Sequence, residues 1–286
     1  MTAKLPRAIN ALADISGDYD VILCDVWGVL HNGVDAFVPA AAALEKARTA
    51  GKAVILITNA PRLAREVEAS LETIGVPRAS WDRLVTSGDV TRALIAEGPR
   101  RVFHLGPDRD LALFDDLDAE RVEEFEAQAV VCTGLFDDET EAPEDYAEML
   151  RRLRARDLPF ICANPDIVVE RGDRLIWCAG ALARDYAQLG GRTLIAGKPH
   201  KPIYDAALEA AAEVLARQVP VSEVLAIGDG ILTDIKGAAA SGIDALFVTA
   251  GIHAGDYGGA TPDPDRLAEF LRKHGLDPLA MMPRLH

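Results

Sequence analysis

Short runs of Val, Ile and Leu recur along the chain, separated by stretches whose apolar residues return at helical spacing. The runs are VILCDV (21–26), AVILIT (53–58), RVFHLG (101–106), AVVCTG (129–134), PFICAN (159–164), TLIAG (193–197), VLAIGD (224–229) and ALFVTA (245–250). They lack the polar–apolar alternation of a half-exposed strand, so each reads as a strand buried on both faces, the pattern of a parallel sheet covered by helices. VPAAAALEKARTAG (38–51) and PEDYAEMLRRLRARD (143–157) read as helices, and Gly51 is a good stop for the first. The pattern predicts an α/β protein with a doubly wound parallel sheet.

At 286 residues the chain has room for one large domain or two smaller ones. Its net charge of −15 argues against a nucleic-acid polymer as partner, because phosphate backbones reward clustered Lys and Arg. A single pocket in an acidic chain can still hold a phosphate or a cation. Cys24, Cys132, Cys162 and Cys178 are far apart in sequence, and three of them lie inside apolar runs, which fits buried thiols in a reducing compartment. No run reaches the roughly 18 apolar residues needed to cross a membrane, and a cytoplasmic location is expected.

Ligands of open α/β sheets gather outside the carboxyl ends of the strands, so polar residues there carry most information. VILCD ends at Asp25, and AVILIT ends at Thr58, followed by Asn59. VLAIG is followed by Asp229 and, five residues on, by Asp234; Lys198 follows TLIAG. A carboxylate can attack phosphorus, further carboxylates can hold Mg²⁺, and a Lys can neutralise the transferring group. Taken singly, each residue also fits a helix cap, a turn or a solvated surface. The set in this order is what points to phosphoryl transfer.

DVWGVL, ITNAPR, GKPHKPIY and GDGILTDIKGA resemble, in order, the four motifs of the haloacid dehalogenase superfamily. The long insertion before the third motif resembles the class IIA branch, and the likeness covers about residues 18–250. The resemblance implies a Rossmann-like core over 1–84 and 191–286, with an inserted α/β cap over 85–190. It makes Asp25 the nucleophile and a Mg²⁺ ligand, with Thr58 and Asn59 on the phosphate and Lys198 neutralising its charge. Asp229 and Asp234 join Asp25 and the Trp27 carbonyl at the metal. Asn164 and Asp166 of the cap are expected near the substrate, a small phosphorylated molecule, and a homodimer through the cap is a family-level expectation.

One position departs from the family. The residue two after the nucleophile is there an Asp acting as general acid/base, and here it is Trp27. General acid–base help is typically worth about 10²–10⁴ in rate, so a slow phosphatase is expected, with a non-hydrolytic phosphate binder as the alternative. His31 is the titratable group nearest in sequence that could stand in. A receiver-like phospho-acceptor is a third option, against which the insertion and GDGILTDIKGA argue. LFDDETEAPED (135–145) is expected to be a solvated acidic loop.

Overall fold

The computed structural model describes residues 5–286, residue 173 excepted. The chain gathers into two compact units, the first made of residues up to Thr58, Glu68–Val85 and Tyr204–His286, the second of Asn59–Val67 and Thr86–Ile203. The chain thus crosses to the second unit already at Asn59, because Leu63 packs into that unit's core. It returns at Tyr204 rather than near residue 191, because Thr193–Ile195 pairs with a strand of the second unit.

The first strands are β1 (Arg7–Ala8), β2 (Val21–Asp25), β3 (Ala53–Thr58) and β4 (Arg83–Thr86). The next are β5 (Arg101–Leu105), β6 (Glu120–Arg121), β7 (Ala129–Cys132), β8 (Phe160–Cys162), β9 (Val168–Arg171), β10 (Arg174–Trp177) and β11 (Thr193–Ile195). The last are β12 (Val224–Gly228), β13 (Asp244–Val248) and β14 (Ala280–Met282).

In the first unit the described strands form one sheet in the order β1-β14-β13-β12-β2-β3-β4. β12 pairs in parallel with β2, and β2 with β3. Every residue of β2, β3 and β12 is buried, as the unbroken apolar runs predict. Each fully buried Val, Ile or Leu contributes about 1.5–3 kcal/mol relative to exposure, which is why these runs occupy the sheet centre. From β2 the chain winds outward through β3 and β4, and from β12 it winds the other way through β13 and β14. The strand order reverses between β2 and β12, and at such a switch point the loops diverge and leave a crevice at the carboxyl ends.

The second unit has a parallel sheet in the order β11-β8-β7-β5-β6 and a separate antiparallel hairpin of β9 and β10. Its strands alternate between two cores. Val130, Cys132, Phe160 and Cys162 face Leu150, Leu153, Leu182 and Tyr186 of the helices Ala147–Ala155 and Ala179–Gln188. Ala129, Val131 and Ile161 face Ile95, Leu113 and Phe114. All four cysteines are buried free thiols, and burial pushes the Cys162 thiol up to about 12.

The doubly wound parallel architecture expected from the sequence is what the chain adopts. The hairpin is the main element that the apolar runs do not announce; Arg171 and Arg174 break its pattern. ILTDIKGAAASG begins as a wide π turn at Ile231–Ile235 that leads into a short helix at Lys236–Ala240. Among the described residues no helix is long and apolar enough to cross a membrane.

Candidate active site

The crevice of the first unit collects three carboxylates. Asp25 is the last residue of β2, Asp229 directly follows β12, and Asp234 lies in the π turn. All three are buried, and one ligand oxygen of each lies within 4.8 Å of the others. Thr58 ends the neighbouring β3, where the register sets Asp25 opposite Ile57. The topology thus brings the three acids to one point.

The backbone around the triad is shaped to hold it. Asp229 Oδ2 accepts the Ile252 N–H at 2.9 Å, and Asp234 Oδ2 accepts the Gly230 N–H at 3.0 Å. Gly28 has φ +81°, and a Cβ there would lie 2.2 Å from Asp229 Oδ2. Gly28→Ala is expected to displace Asp229 and to cost about 1–2 kcal/mol in the left-handed backbone alone. Mg²⁺ titration followed by the thermal midpoint checks this: the wild type should be stabilised by the metal and the variant at least about tenfold less sensitive to it. Gly228 has the same function beside Asp234, since a Cβ there would meet its Cγ at 2.2 Å.

The donor set fits a hard divalent cation. Two like charges about 4.8 Å apart repel by roughly 3 kcal/mol at an effective dielectric of about 20, so three buried carboxylates oppose one another unless a cation or protons intervene. Oxygen-only ligands on short side chains suit Mg²⁺ better than zinc or copper.

Trp27 supplies no carboxyl to this crevice. Its indole meets His31 edge to face, with ring centroids 4.8 Å apart and planes at 66°. His31 is buried, and its Nδ1 accepts the Gly33 N–H at 2.8 Å. That bond occupies the basic lone pair of the neutral ring and leaves the proton on Nε2. The arrangement fits a structural His in the turn after β2 and speaks against His31 as a substitute base.

In the second unit, Asn59, Asp166 and Lys198 come together. Asn59 Oδ1 accepts the Lys198 N–H at 2.8 Å, and Asn59 Nδ2 donates to Asp166 Oδ1 at 2.8 Å. Asn164 Oδ1 accepts the Asp166 N–H at 3.1 Å, closing the turn that the sequence NPD predicts.

Comparison with known proteins decides the family. A family model described as haloacid dehalogenase-like hydrolase matches residues 22–120, and one described as HAD-hydrolase-like matches residues 195–273. A solved hydrolase of the haloacid dehalogenase-like family from Brucella suis 1330 is 57% identical, with 99% of this chain and 100% of that chain covered and a TM-score of 0.89. The chain belongs to the haloacid dehalogenase-like hydrolases. Its architecture is that of the class IIA branch, which sets aside the receiver-like option. A possible sugar phosphatase from Cytophaga hutchinsonii has the same fold at 21% identity, covering 96% of this chain and 97% of that one, with a TM-score of 0.79. A glycerol phosphate phosphatase from Mycobacterium tuberculosis, solved with calcium, is 26% identical over 88% of this chain and 72% of that one, with a TM-score of 0.64. No curated protein matches the chain.

Three polar groups of this hydrolase escaped the sequence reading. At the carboxyl edge of the second unit's sheet, His104 Nε2 lies 2.9 Å from Thr133 Oγ1, and Thr133 favours the charged form of the buried Asp110 carboxyl. Reading the residues around the ends of RVFHLG and AVVCTG for polar types, as was done for the other strands, would have found them. Burial pushes Asp110 up to about 6 and His104 down to about 4. Asp110 therefore adds stability that is full below its unfolded value and is lost as pH rises to about 6. His104 does the reverse: its stability is full above about 6.5 and is lost as pH falls to about 4. Each slope is worth about 3 kcal/mol, and the two nearly cancel. Asp110→Asn is expected to uncover the His104 slope, so that urea midpoints rise between about pH 4 and 6.5 more steeply than in the wild type.

The acidic loop also differs from a merely solvated one. Asp138 pairs with Arg109 and Arg171, and Glu139 pairs with Arg171 and Arg174, which ties the loop to the β9–β10 hairpin. Burial pushes the Asp138 carboxyl up, but the two arginines outweigh it and hold the group below its ordinary value.

Proposed function

We propose that this hydrolase cleaves a small phosphate ester of sugar, nucleotide or aryl type through a phosphorylated Asp25. The observation that carries the reading is the buried triad of Asp25, Asp229 and Asp234 at the switch point of the parallel sheet. The 26% identical neighbour is named as a glycerol phosphate phosphatase, which supports a phosphate ester as substrate.

The three carboxylates and the Trp27 carbonyl would hold Mg²⁺. When bound, that ion withdraws charge from the phosphoryl oxygens and offsets the repulsion within the triad. An Asp25 carboxylate oxygen attacks phosphorus; the bond to the leaving oxygen breaks, and the leaving oxygen takes a proton from solvent water to depart as the alcohol. The Thr58 hydroxyl donates to a phosphoryl oxygen, and Lys198 offsets the negative charge. Water then attacks the acyl phosphate, releasing phosphate and restoring Asp25. Trp27 has no carboxyl with which to give the first proton or take the second, so both half-reactions are slow. The second unit acts as the cap that selects the substrate, and the buried free thiols support a reducing cytoplasm.

The test is Mg²⁺-dependent phosphate release that Asp25→Asn removes. Trp27 favours one other reading, a phosphate binder without turnover. Stabilisation by phosphate with no release in the wild type would select it.

A further inference from the structure

Lys198 lies where a strand ladder cannot hold it. β11 ends at Ile195, and the residue after Lys198 is Pro199, which has no N–H to donate. One side chain takes both main-chain groups instead. Asn59 Oδ1 accepts the Lys198 N–H at 2.8 Å, and Asn59 Nδ2 donates to the Lys198 carbonyl at 3.3 Å. The pattern imitates the paired bonds that a neighbouring strand would make. The other hydrogen of Nδ2 goes to Asp166 Oδ1 at 2.8 Å.

Donor and acceptor types fix this arrangement in one sense. A carboxylate only accepts and a main-chain N–H only donates, so the amide must turn Nδ2 toward Asp166 and Oδ1 toward Lys198. Both amide hydrogens are then committed, and neither is available to a phosphoryl oxygen. Asn59 is 2% exposed and Lys198 3%, so the two bonds between them form out of water, where they are strong and costly to lose, while Asp166 is half-buried. Asp166 is itself held by its own N–H on Asn164 Oδ1 at 3.1 Å. A continuous line of hydrogen bonds thus runs from the NPD turn to the Lys198 main chain.

We infer that Asn59 and Asp166 are positioning residues that clamp the Lys198 main chain and so aim its ammonium group, rather than ligands of the phosphoryl group or the substrate. The inference rests on the proposed reaction, in which Lys198 neutralises the transferring phosphoryl group.

The clamp is tested by reversing its polarity. N59D sets two acceptor-only carboxylates against each other and removes the donor to the Lys198 carbonyl. D166N keeps an acceptor oxygen. N59D/D166N exchanges donor and acceptor and retains an acceptor for the Lys198 N–H. With p-nitrophenyl phosphate and Mg²⁺, N59D is expected to lower kcat by about 10²-fold with KM changed less than about threefold. D166N should lose less than about fivefold, and N59D/D166N should recover at least about tenfold over N59D. In a K198A background N59D should have almost no further effect, because the residue it positions is gone. Equal losses with and without Lys198, or no recovery in the reversed pair, would overturn the clamp. If the wild type releases no phosphate, the reaction is what fails. The same ranking is then read from calorimetric affinity for inorganic phosphate: recovery in the reversed pair supports the clamp, and no recovery overturns it.

Discussion

Asp25→Asn is expected to lower Mg²⁺-dependent phosphate release by a factor on the order of 10⁴ or more, since loss of a catalytic nucleophile typically costs that much. The amide keeps the shape of the carboxylate but has no anionic oxygen with which to attack phosphorus. The same substitution removes one member of a triad whose oxygens lie within 4.8 Å of one another. It therefore relieves two of the three repulsive pairs, each roughly 3 kcal/mol at an effective dielectric of about 20, and the metal-free variant should be more stable than the metal-free wild type by up to about 6 kcal/mol. Activity and stability move in opposite directions only if Asp25 is both nucleophile and part of a strained anionic cluster. Phosphate release and urea midpoints, each measured with Mg²⁺ and with chelator, check the two halves together.

Trp27→Asp should raise turnover at saturating Mg²⁺ by about 10²-fold, within the range that a well-placed acid–base group contributes. The gain should be larger for alkyl phosphates than for aryl phosphates. An alkoxide leaving group needs a proton as it departs, whereas a phenolate leaves readily without one. Both classes share the later attack of water on the phosphorylated Asp25, so some gain is expected for each. Trp27→Asn removes the indole without adding an acid and should give none of this increase. Steady-state kcat on one alkyl and one aryl phosphate, for the three proteins, decides the matter. Equal or lower turnover in Trp27→Asp would mean that another group already performs the proton transfers. The buried His31, with Nδ1 engaged by the Gly33 N–H, does not fit that role.

Much of this was legible in the sequence because it depends on local pattern. Unbroken apolar runs specify strands buried on both faces, and acids at the ends of VILCD and VLAIG meet because those strands become neighbours in the sheet. The role of Asn59 was not legible. From ITNAPR it reads as part of a phosphate-binding turn, and only the fold reveals that its amide is occupied by Lys198 and Asp166, more than a hundred positions away. Asp110 and Thr133 were missed for a related reason: neither stands in a distinctive motif, and their chemistry arises from burial beside His104. The β9–β10 hairpin escaped notice because its two strands are short and each carries an Arg. The wide turn that presents Asp234 follows from main-chain bonds of Asp234 and Ile235 to the same Gly230 carbonyl, which no residue spacing announces.

The measurement closest to the central claim is a mass spectrum of the protein, acid-quenched during turnover of p-nitrophenyl phosphate with Mg²⁺ and then digested. Slow attack of water on the intermediate predicts that a large fraction of the wild type carries one added phosphoryl group on the peptide containing Asp25, and that Trp27→Asp carries less. A protein that turns over with no such adduct on that peptide, or that carries the phosphoryl group elsewhere, would contradict the account.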